Sequence, residues 1–388
     1  MNPIYAAMPT TIFEAMSARA REAGAINLGQ GFPEGPRPDR VIALAARALE
    51  ERGNQYPPSP GLPELRASIA RWYGRHQRLA LDPGEVIVTS GATEALAASL
   101  LALIAPGDEV LLFAPLYDAY LPLVERAGGR AKVLRLALPS GRIDRAAFAA
   151  AISPRTRLVV FNDPHNPLGT RADPEDLAFL AEACTAHDLI AICDEVWEAL
   201  VFDGGEHRSL MDVPGMRERT VKIGSAGKIF GLTGWKVGWM CAAPPLARVL
   251  AKAHQFLTFT TPPNLQWALA EALESEDAWV AAARAHHQAS RDVLAEGLAR
   301  IGLVPLASNA TWFVSVDLAA SGIARGDAAF CEAIIDHAGV AAIPVSAFYA
   351  EDPATHLVRF CFAKERATLE TALARLGAAL AVPGLLRD

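Results

Sequence analysis

The sequence predicts an α/β fold with two parts: a large domain around a mostly parallel central sheet, and a smaller α+β domain formed from both termini. Between about residues 38 and 263, short apolar runs of β-type composition alternate with alanine-rich helical stretches. Polar residues follow these runs directly, at the position where open α/β sheets bind their ligands. After about residue 275 the alternation stops, and a long helical stretch is followed by separate β-type runs.

Length and composition agree with this division. With 388 residues, of which 52% are hydrophobic, the chain is long enough for one large domain and a smaller one. We expect an N-terminal segment (residues 1–38) that belongs to the small domain, a large domain (39–275) and a small C-terminal domain (276–388). The N-terminal segment is grouped with the small domain because residues 13–23 have a helical pattern and residues 25–28 an extended one.

The strands of the large domain are expected, in order, at residues 86–89, 110–113, 158–161, 189–193, 221–224 and 237–242. Polar residues follow five of them: Ser90 to Thr93, Tyr117, Asn162 with Asn166, Asp194, and Ser225 with Lys228. Because the carboxyl ends of parallel strands meet at one edge of a sheet, these side chains should converge on one crevice. In the small domain, we expect helices at 277–301 and 328–337 and strands at 311–318, 340–343 and 356–362.

Composition argues against several classes of partner. The net charge of −7 does not suit a general nucleic-acid binder. The five cysteines are scattered and form no CxxC pair, so neither a disulfide framework nor a metal site is expected. The N-terminus lacks the pattern of a signal peptide, and charges or prolines interrupt the apolar stretches. We expect a soluble cytoplasmic protein with no nucleic-acid, membrane or metal partner.

Lys228 lies in the most informative segment, where small residues follow an apolar run and a second cation, Lys236, comes eight positions later. A lysine amine is a nucleophile only when deprotonated, and desolvation beside another cation lowers its pKa. Glycines let a flat ligand approach the backbone closely. The combination is typical of a lysine that forms a Schiff base with an aldehyde cofactor, usually pyridoxal 5'-phosphate (PLP). A solvated surface lysine is the alternative, which the strand-end position makes less favourable.

Two further segments provide what such a cofactor needs. Asp194 ends an apolar run, and a fixed anion there could keep a pyridinium nitrogen protonated; a helix cap or a solvated charge is the alternative. Residues 90–93 open a helix whose backbone N–H groups could bind phosphate, with Ser225 and Lys236 completing the site. An ordinary N-cap is the alternative for that segment.

The remaining candidates are ambiguous when taken singly. Tyr117 could stack on a flat ring or be a core aromatic residue. Asn162 and Asn166 could bind a ring oxygen and a substrate carboxylate, or be plain turn residues. Arg359, among apolar neighbours in the run 356–362, could bind a carboxylate with both arms of its guanidinium or form a structural ion pair.

Together these residues resemble the fold-type I PLP-dependent aminotransferases of class I/II, in particular the kynurenine, glutamine and methionine aminotransferase group. The matching segments are residues 26–33, 54–56, 90–94, 107–110, 162–167, 194–196, 225–239, 340–345 and 358–364. The resemblance implies an aspartate aminotransferase-like fold and a homodimer with shared active sites. It also implies ping-pong transfer of the amino group of an L-amino acid to a 2-oxo acid.

The resemblance implies a role for each candidate residue. Lys228 would hold PLP and shuttle the proton, and Asp194 would pair with the ring nitrogen. Tyr117 would stack on the ring and Asn162 would bond its hydroxyl. The phosphate would be bound by Ala92, Thr93, Ser225 and Lys236, and by Tyr56 of the neighbouring subunit. The substrate carboxylate would be held by the Gly31 backbone, Asn166 and Arg359, and the side-chain pocket would include Phe13 and Phe259, the latter from the partner subunit.

Trp197 departs from the family pattern, which has a tyrosine three residues after the aspartate. An indole N–H can donate to the cofactor's ring oxygen, but it can neither accept nor ionise. We expect a changed pH dependence at the cofactor, unless Trp197 packs elsewhere and water takes its place.

The substrate pocket is expected to favour methionine, glutamine, aromatic or kynurenine-type donors over aspartate, because Phe13 and Phe259 are apolar. Three alternatives remain open at this point. A cysteine-conjugate β-lyase would use the same lysine and aspartate, and a PLP-binding regulatory protein would bind the cofactor without turnover. A nucleotide-dependent dehydrogenase is disfavoured, because Glu34 stands where its glycine-rich motif requires a third glycine.

Overall fold

The computed structural model describes residues 1–387. Its strands are β1 (Ile26–Asn27), β2 (Val86–Thr89), β3 (Glu109–Ala114), β4 (Arg130–Ala137), β5 (Arg142–Ile143), β6 (Thr156–Asn162), β7 (Ile190–Asp194), β8 (Thr220–Ser225), β9 (Gly238–Cys241), β10 (Val304–Pro305), β11 (Phe313–Asp317), β12 (Val340–Ala341), β13 (Ile343–Pro344) and β14 (Leu357–Cys361).

The α-helices are α1 (Pro3–Ala7), α2 (Ile12–Glu22), α3 (Asp39–Glu51), α4 (Pro63–Gln77), α5 (Gly91–Leu103), α6 (Tyr120–Arg126), α7 (Arg145–Ala151), α8 (Pro174–Ala186), α9 (Ala226–Ile229), α10 (Pro244–Leu257), α11 (Pro263–Ser275), α12 (Asp277–Arg300), α13 (Asp327–Ala338) and α14 (Arg366–Leu380). Local chemistry explains several of their ends. Pro174 starts α8 while the Asp173 side chain accepts from the Glu175 N–H, and Gly339 ends α13 with φ +60°, a left-handed conformation that favours glycine.

An eight-stranded sheet forms the centre of the molecule, in the order β2-β9-β8-β7-β6-β3-β4-β5. Pairing is parallel from β4 through β3, β6 and β7 to β8, as the alternating sequence pattern predicts. The expected strand 237–242 is β9, and it lies antiparallel between β8 and β2. Apolar clusters cover the sheet, one including Leu96 and Ile192 and another including Phe148 and Leu180, as a parallel sheet requires.

The second unit contains a four-stranded antiparallel sheet in the order β10-β11-β14-β13. The expected strand 340–343 is two strands: β12 pairs with β1 and β13 pairs with β14. The pairing of β1 with β12 is parallel, with Ile26 opposite Val340, so the N-terminal segment lies against the C-terminal part of the chain. The Arg19 guanidinium on α2 also forms an ion pair with Asp336 on α13.

A buried charge cluster lies against the large sheet. Lys222 on β8 is fully buried, and its ammonium contacts the carboxylates of Glu195 and Glu198, the latter at 2.6 Å. His207 Nε2 lies 2.7 Å from Glu195 Oε2, and the Tyr73 hydroxyl donates to Glu198 at 2.8 Å. Although Glu195, Glu198 and His207 have the spacing of a metal site, the lysine ammonium is the cation among them.

Within residues 1–387, no helix combines the length and the apolar character needed to cross a lipid bilayer.

Candidate active site

A cavity of about 360 Å³ opens at the edge of the large sheet where the parallel strands end. The residues predicted at those strand ends converge on it, because the strands run in one direction and deliver their next residues to the same edge. The cavity lining includes ten residues from the segments that the sequence analysis singled out: Gly91, Ala92, Thr93, Tyr117, Asn162, Asn166, Asp194, Ser225, Lys228 and Lys236. Trp197 also lines it, together with Phe32 and Tyr120, which the sequence did not single out.

Lys228 lies on the short helix α9, directly after β8. The side chain faces the cavity, but its surroundings desolvate the ammonium and lower the pKa of Lys228 to about 8, against the opposing effect of Asp194. The amine is therefore much more available as a base near neutral pH than an ordinary lysine. No hydrogen bond or ion pair holds Lys228 Nζ to any part of the described chain; its near neighbours are the rings of Trp197 and Trp312, at 4.7 and 5.2 Å from Nζ to the ring centroid.

Asp194 is the last residue of β7 and is buried. The Tyr120 hydroxyl donates to its Oδ2 at 2.7 Å, and the Val196 N–H to its Oδ1 at 3.4 Å. Burial raises the pKa of Asp194, and within residues 1–387 no cation lies at ion-pair distance from its carboxylate. Such a carboxylate is poised for a cationic ligand that the polypeptide does not supply.

Tyr120 is a candidate site residue that the sequence analysis missed. It begins α6, three residues after Tyr117, and the two rings meet edge to face at 5.7 Å. The sequence offered one signal for Tyr120. It comes three residues after Tyr117, and that spacing puts both side chains on one face of a helical turn. Its hydrogen bond to Asp194 has no local signal, because the two residues are 74 positions apart in the chain.

The N-terminus of α5 forms one end of the cavity. Gly91 has φ +77°, and a Cβ placed there would lie 3.2 Å from Lys236 Nζ. A Cβ on Gly238 would lie 2.9 Å from the Ala92 nitrogen, so glycines at both positions allow this close approach. Lys236 forms no ion pair within residues 1–387, and Ser225 lies beside it in the lining. Free helix N–H groups, a hydroxyl and an unpaired ammonium form a site for an anion such as phosphate.

Tyr117 and Asn162 face the middle of the cavity. Burial raises the pKa of Tyr117 to about 12, against a smaller opposing effect of the Thr93 side chain. The Asn162 amide donates to the Asp194 carbonyl at 2.9 Å, and its Oδ1 accepts from the Asn166 N–H at 2.9 Å. Asn162 thus ties the end of β6 to the end of β7 and keeps Asp194 in place.

Arg359 on β14 of the small sheet is buried next to the cavity without lining it. Its Nη1 donates to Asn166 Oδ1 at 2.7 Å and its Nη2 to the Gly29 carbonyl at 2.8 Å. Burial lowers the pKa of Arg359 to about 9. Within residues 1–387 no carboxylate forms an ion pair with Arg359, so the alternative of a structural ion pair is not supported. The charge of this buried guanidinium is uncompensated next to Asn166, which lines the cavity.

Gly31 and Phe13 belong to the same neighbourhood. The Phe13 ring lies 5.3 Å from the Arg359 guanidinium carbon, and the Phe313 ring, against which Gly31 packs, lies 3.8 Å from it. Tyr56 and Phe259 are different: they do not line the cavity of this chain. Their rings contact each other at 5.4 Å, and they are 83% and 41% exposed, respectively.

Comparison with known proteins agrees with the geometry. Architecture and site together define an enzyme of the aspartate aminotransferase-like fold. The family model for aminotransferase class I and II matches residues 23–376, and the chain belongs to this family. It is an aminotransferase.

The chain is similar over nearly its whole length to aminotransferases from bacteria and mammals. The probable N-succinyldiaminopimelate aminotransferase DapC of Mycobacterium tuberculosis is 44% identical over 382 residues, covering 95% of each chain. The solved structure of the M. tuberculosis N-succinyldiaminopimelate aminotransferase has a TM-score of 0.93, covering 98% of this chain and 100% of that one. Methionine aminotransferase of Escherichia coli is 41% identical over 372 residues (95% of each chain), and mouse kynurenine–oxoglutarate transaminase 1 is 34% identical over 391 residues (92% of each). The predicted fold and family are confirmed.

Proposed function

We propose that the cavity binds PLP with Lys228 as its carrier. The observation that supports this proposal is that one cavity contains both a desolvated lysine, Lys228, and a buried carboxylate, Asp194, that forms no ion pair within residues 1–387. The residues fit the group at three points: the amine of Lys228 has its pKa lowered to about 8, Asp194 can face a protonated ring nitrogen, and Lys236 at the start of α5 can face a phosphate. When bound, PLP supplies an electron sink for bond cleavage at the substrate α-carbon.

The chain's own residues then have separate tasks. Lys228 would take and return the α-proton, and Asp194, held by Tyr120, would keep the ring nitrogen protonated. Tyr117 would stack on the ring, and Asn162 and Trp197 would bind its oxygen. Ala92, Thr93, Ser225 and Lys236 would bind the phosphate, while Gly31, Asn166 and Arg359 would hold the substrate carboxylate with Phe13 nearby.

We infer that the amino donor has an uncharged side chain, as in methionine, glutamine, aromatic amino acids or kynurenine. Support comes from the cavity lining of the described chain, which contains no arginine for a side-chain carboxylate. N-succinyldiaminopimelate is the second candidate, because the DapC relative shares 44% identity over 95% of this chain.

A donor titration tests this inference. With one oxo acid as acceptor, we expect methionine, glutamine, phenylalanine or kynurenine to exceed aspartate in kcat/KM by at least about tenfold. The reason is that an unpaired carboxylate in the pocket costs about 1–3 kcal/mol. A preference for aspartate would contradict the inference. Pyruvate and ammonia released from a cysteine conjugate without any oxo acid would favour the β-lyase alternative.

A homodimer with shared sites is also part of the proposal. Tyr56 and Phe259 form an exposed aromatic pair, and Phe256, three residues before Phe259 in the chain, is 85% exposed. Large exposed apolar side chains in one patch are typical of a protein interface. In such a dimer, Tyr56 reaches the phosphate of the neighbouring site and Phe259 lines its side-chain pocket.

Subunit complementation tests the shared site. Tyr56→Ala removes a charge-assisted hydrogen bond, so PLP affinity should fall about 10–100-fold. Mixing this variant with Lys228→Ala and refolding should restore about a quarter of the wild-type activity, because half of the dimers are mixed and each has one complete site. Activity that does not exceed the sum of the separate variants would show that Tyr56 acts within its own subunit, and a monomer in light scattering would exclude the dimer.

The domain boundaries and cellular location are likewise proposals. The pairing of β1 with β12 supports a small domain made of residues 1–38 and 276–388 around a large domain of residues 39–275. Five free, buried cysteines support a reducing, cytoplasmic location.

A further inference from the structure

Two indole rings face the Lys228 amine. Nζ lies 4.7 Å from the centroid of the Trp197 ring and 5.2 Å from that of the Trp312 ring. Both distances are within the range of about 6 Å over which a cation is attracted to the face of an aromatic ring, and tryptophan gives the strongest such attraction. The two indoles also contact each other, at 5.0 Å between centroids and an angle of 78°.

The two rings are fixed by packing from different parts of the fold. Trp197 follows β7 of the large sheet and is 4% exposed; its ring also contacts Phe313 at 5.4 Å. Trp312 directly precedes β11 of the small sheet and is fully buried, with its carbonyl accepting from the Phe362 N–H at 2.9 Å. Rings this buried keep their positions, so the space between them and Lys228 is preformed.

Other charges around Lys228 do not replace these rings. Asp194 and the thiol of Cys361 favour the ammonium, whereas Lys236 and Arg359 disfavour it, and none of these groups bonds to Nζ. His287 lies behind Trp312 at 5.7 Å, and burial lowers its pKa to about 4, so it is neutral near pH 7. The direct neighbours of the amine are therefore the two π faces.

We propose that Trp197 and Trp312 form an indole cage that binds the Lys228 ammonium and returns this lysine to one position whenever it carries a proton. The cage makes Trp312 a positioning residue that the sequence analysis missed, and it gives Trp197 a second task besides facing the cofactor oxygen. The effect of this cage on turnover rests on the proposed function of Lys228 as proton carrier. The cage itself is a property of the polypeptide, and it can be measured without cofactor.

The cage has a definite electrostatic consequence. A π face attracts the ammonium and not the neutral amine, so it stabilises the charged form. Removing one ring while keeping the site dry should therefore lower the pKa of Lys228 further. At the usual strength of such a contact the fall is about 0.4–1.5 pKa units. Leucine is the suitable replacement, because alanine would admit water and raise the pKa by a different route.

Competitive labelling of the cofactor-free protein tests the proposal. Trace acylation at a series of pH values, with the Lys228 peptide quantified by mass spectrometry, gives the pKa of this one amine. We expect a pKa near 8 for the wild type and a lower value for Trp312→Leu and Trp197→Leu. Trp312→Phe and Trp197→Phe, which retain packing and a weaker π face, should fall between.

Trp267→Leu is the matched control. The Trp267 ring also carries a cation over its face, Arg52 at 4.6 Å, but it lies on α11 away from the cavity. This variant should leave the Lys228 pKa unchanged. If the leucine and phenylalanine variants at positions 197 and 312 label with the wild-type pKa or a higher one, the cage is refuted. That result would leave the role of Lys228 untouched, since its role is tested by covalent attachment of the cofactor.

Discussion

Replacing Lys228 with alanine is expected to abolish both covalent attachment of PLP and transamination. Among residues 1–387, Lys228 is the only lysine whose amine lies near both Asp194 and the two indole rings, so neither the linkage nor the proton transfer has a substitute in the variant. Loss of a positioned base alone lowers rates about 10²–10⁴-fold. The measurement is borohydride reduction followed by mass spectrometry of the 228 peptide, together with the rate of the first half-reaction.

Lys252→Ala is the control for this experiment. Lys252 is exposed on α10, and its loss should leave the cofactor spectrum and the rate unchanged. A Lys228→Ala enzyme with wild-type turnover would overturn the assignment of the carrier lysine. Reduced PLP on the peptide of Lys236 would move the assignment there, because that amine lines the same cavity.

The substitution Lys222→Met is expected to give the largest loss of stability. It leaves Glu195 and Glu198 buried without the ammonium that now contacts both. Breaking a buried ion pair by removing one partner costs about 3–5 kcal/mol. Denaturant titration of the cofactor-free protein, followed by circular dichroism, should show the loss as a lower midpoint with little change in slope.

The same substitution should make stability depend on pH. Burial opposes ionisation of Glu195, but Lys222 and His207 hold its pKa at about 2. Without Lys222, desolvation is expected to raise the folded-state pKa of Glu195 above its unfolded value. The folded form then binds more protons than the unfolded one, so stability falls as pH rises, and the loss should be greater at pH 8 than at pH 5.

The double variant Lys222→Met/Glu198→Gln tests whether uncompensated buried charge causes the loss of stability. Removing one of the two buried negative charges should recover part of the lost stability, because less uncompensated charge remains buried. Lys132→Met, which removes a partly exposed lysine 2.7 Å from Glu109, should cost less than Lys222→Met. An equal loss for both lysines, or no recovery with Glu198→Gln, would show that the central cluster does not act through its charge.

Much of the fold could be predicted because its signals are local. The strand at 86–89 and the helix after it show their apolar pattern within a dozen residues, and the structure has β2 and α5 there. The reversed direction of β9 was not predictable, because a strand's apolar pattern is the same in both directions and its partners are distant in sequence. The split of residues 340–343 into β12 and β13 likewise depends on which sheet each half meets.

The candidate site divides in a similar way. Residues that directly follow a parallel strand, such as Asp194 and Lys228, could be predicted, because strand direction alone brings them to one edge. The contacts of Tyr120 with Asp194 and of Trp312 with Lys228 could not be predicted, since each joins residues that are far apart in the chain. Tyr56 and Phe259 are exposed in the single chain. They would belong to an active site only in the proposed dimer, where they would contact the partner's cavity.

The sequence by itself determined the α/β class, the family pattern and the lysine around which the site is built. These follow from hydrophobic periodicity and from residue types at strand ends, which are properties of short segments. Only the tertiary structure decided what surrounds that lysine: a carboxylate held by Tyr120, an arginine without a carboxylate partner and two indoles from segments far apart in the chain. Burial and distance set the pKa of Lys228, and both arise only when segments far apart in the chain pack together.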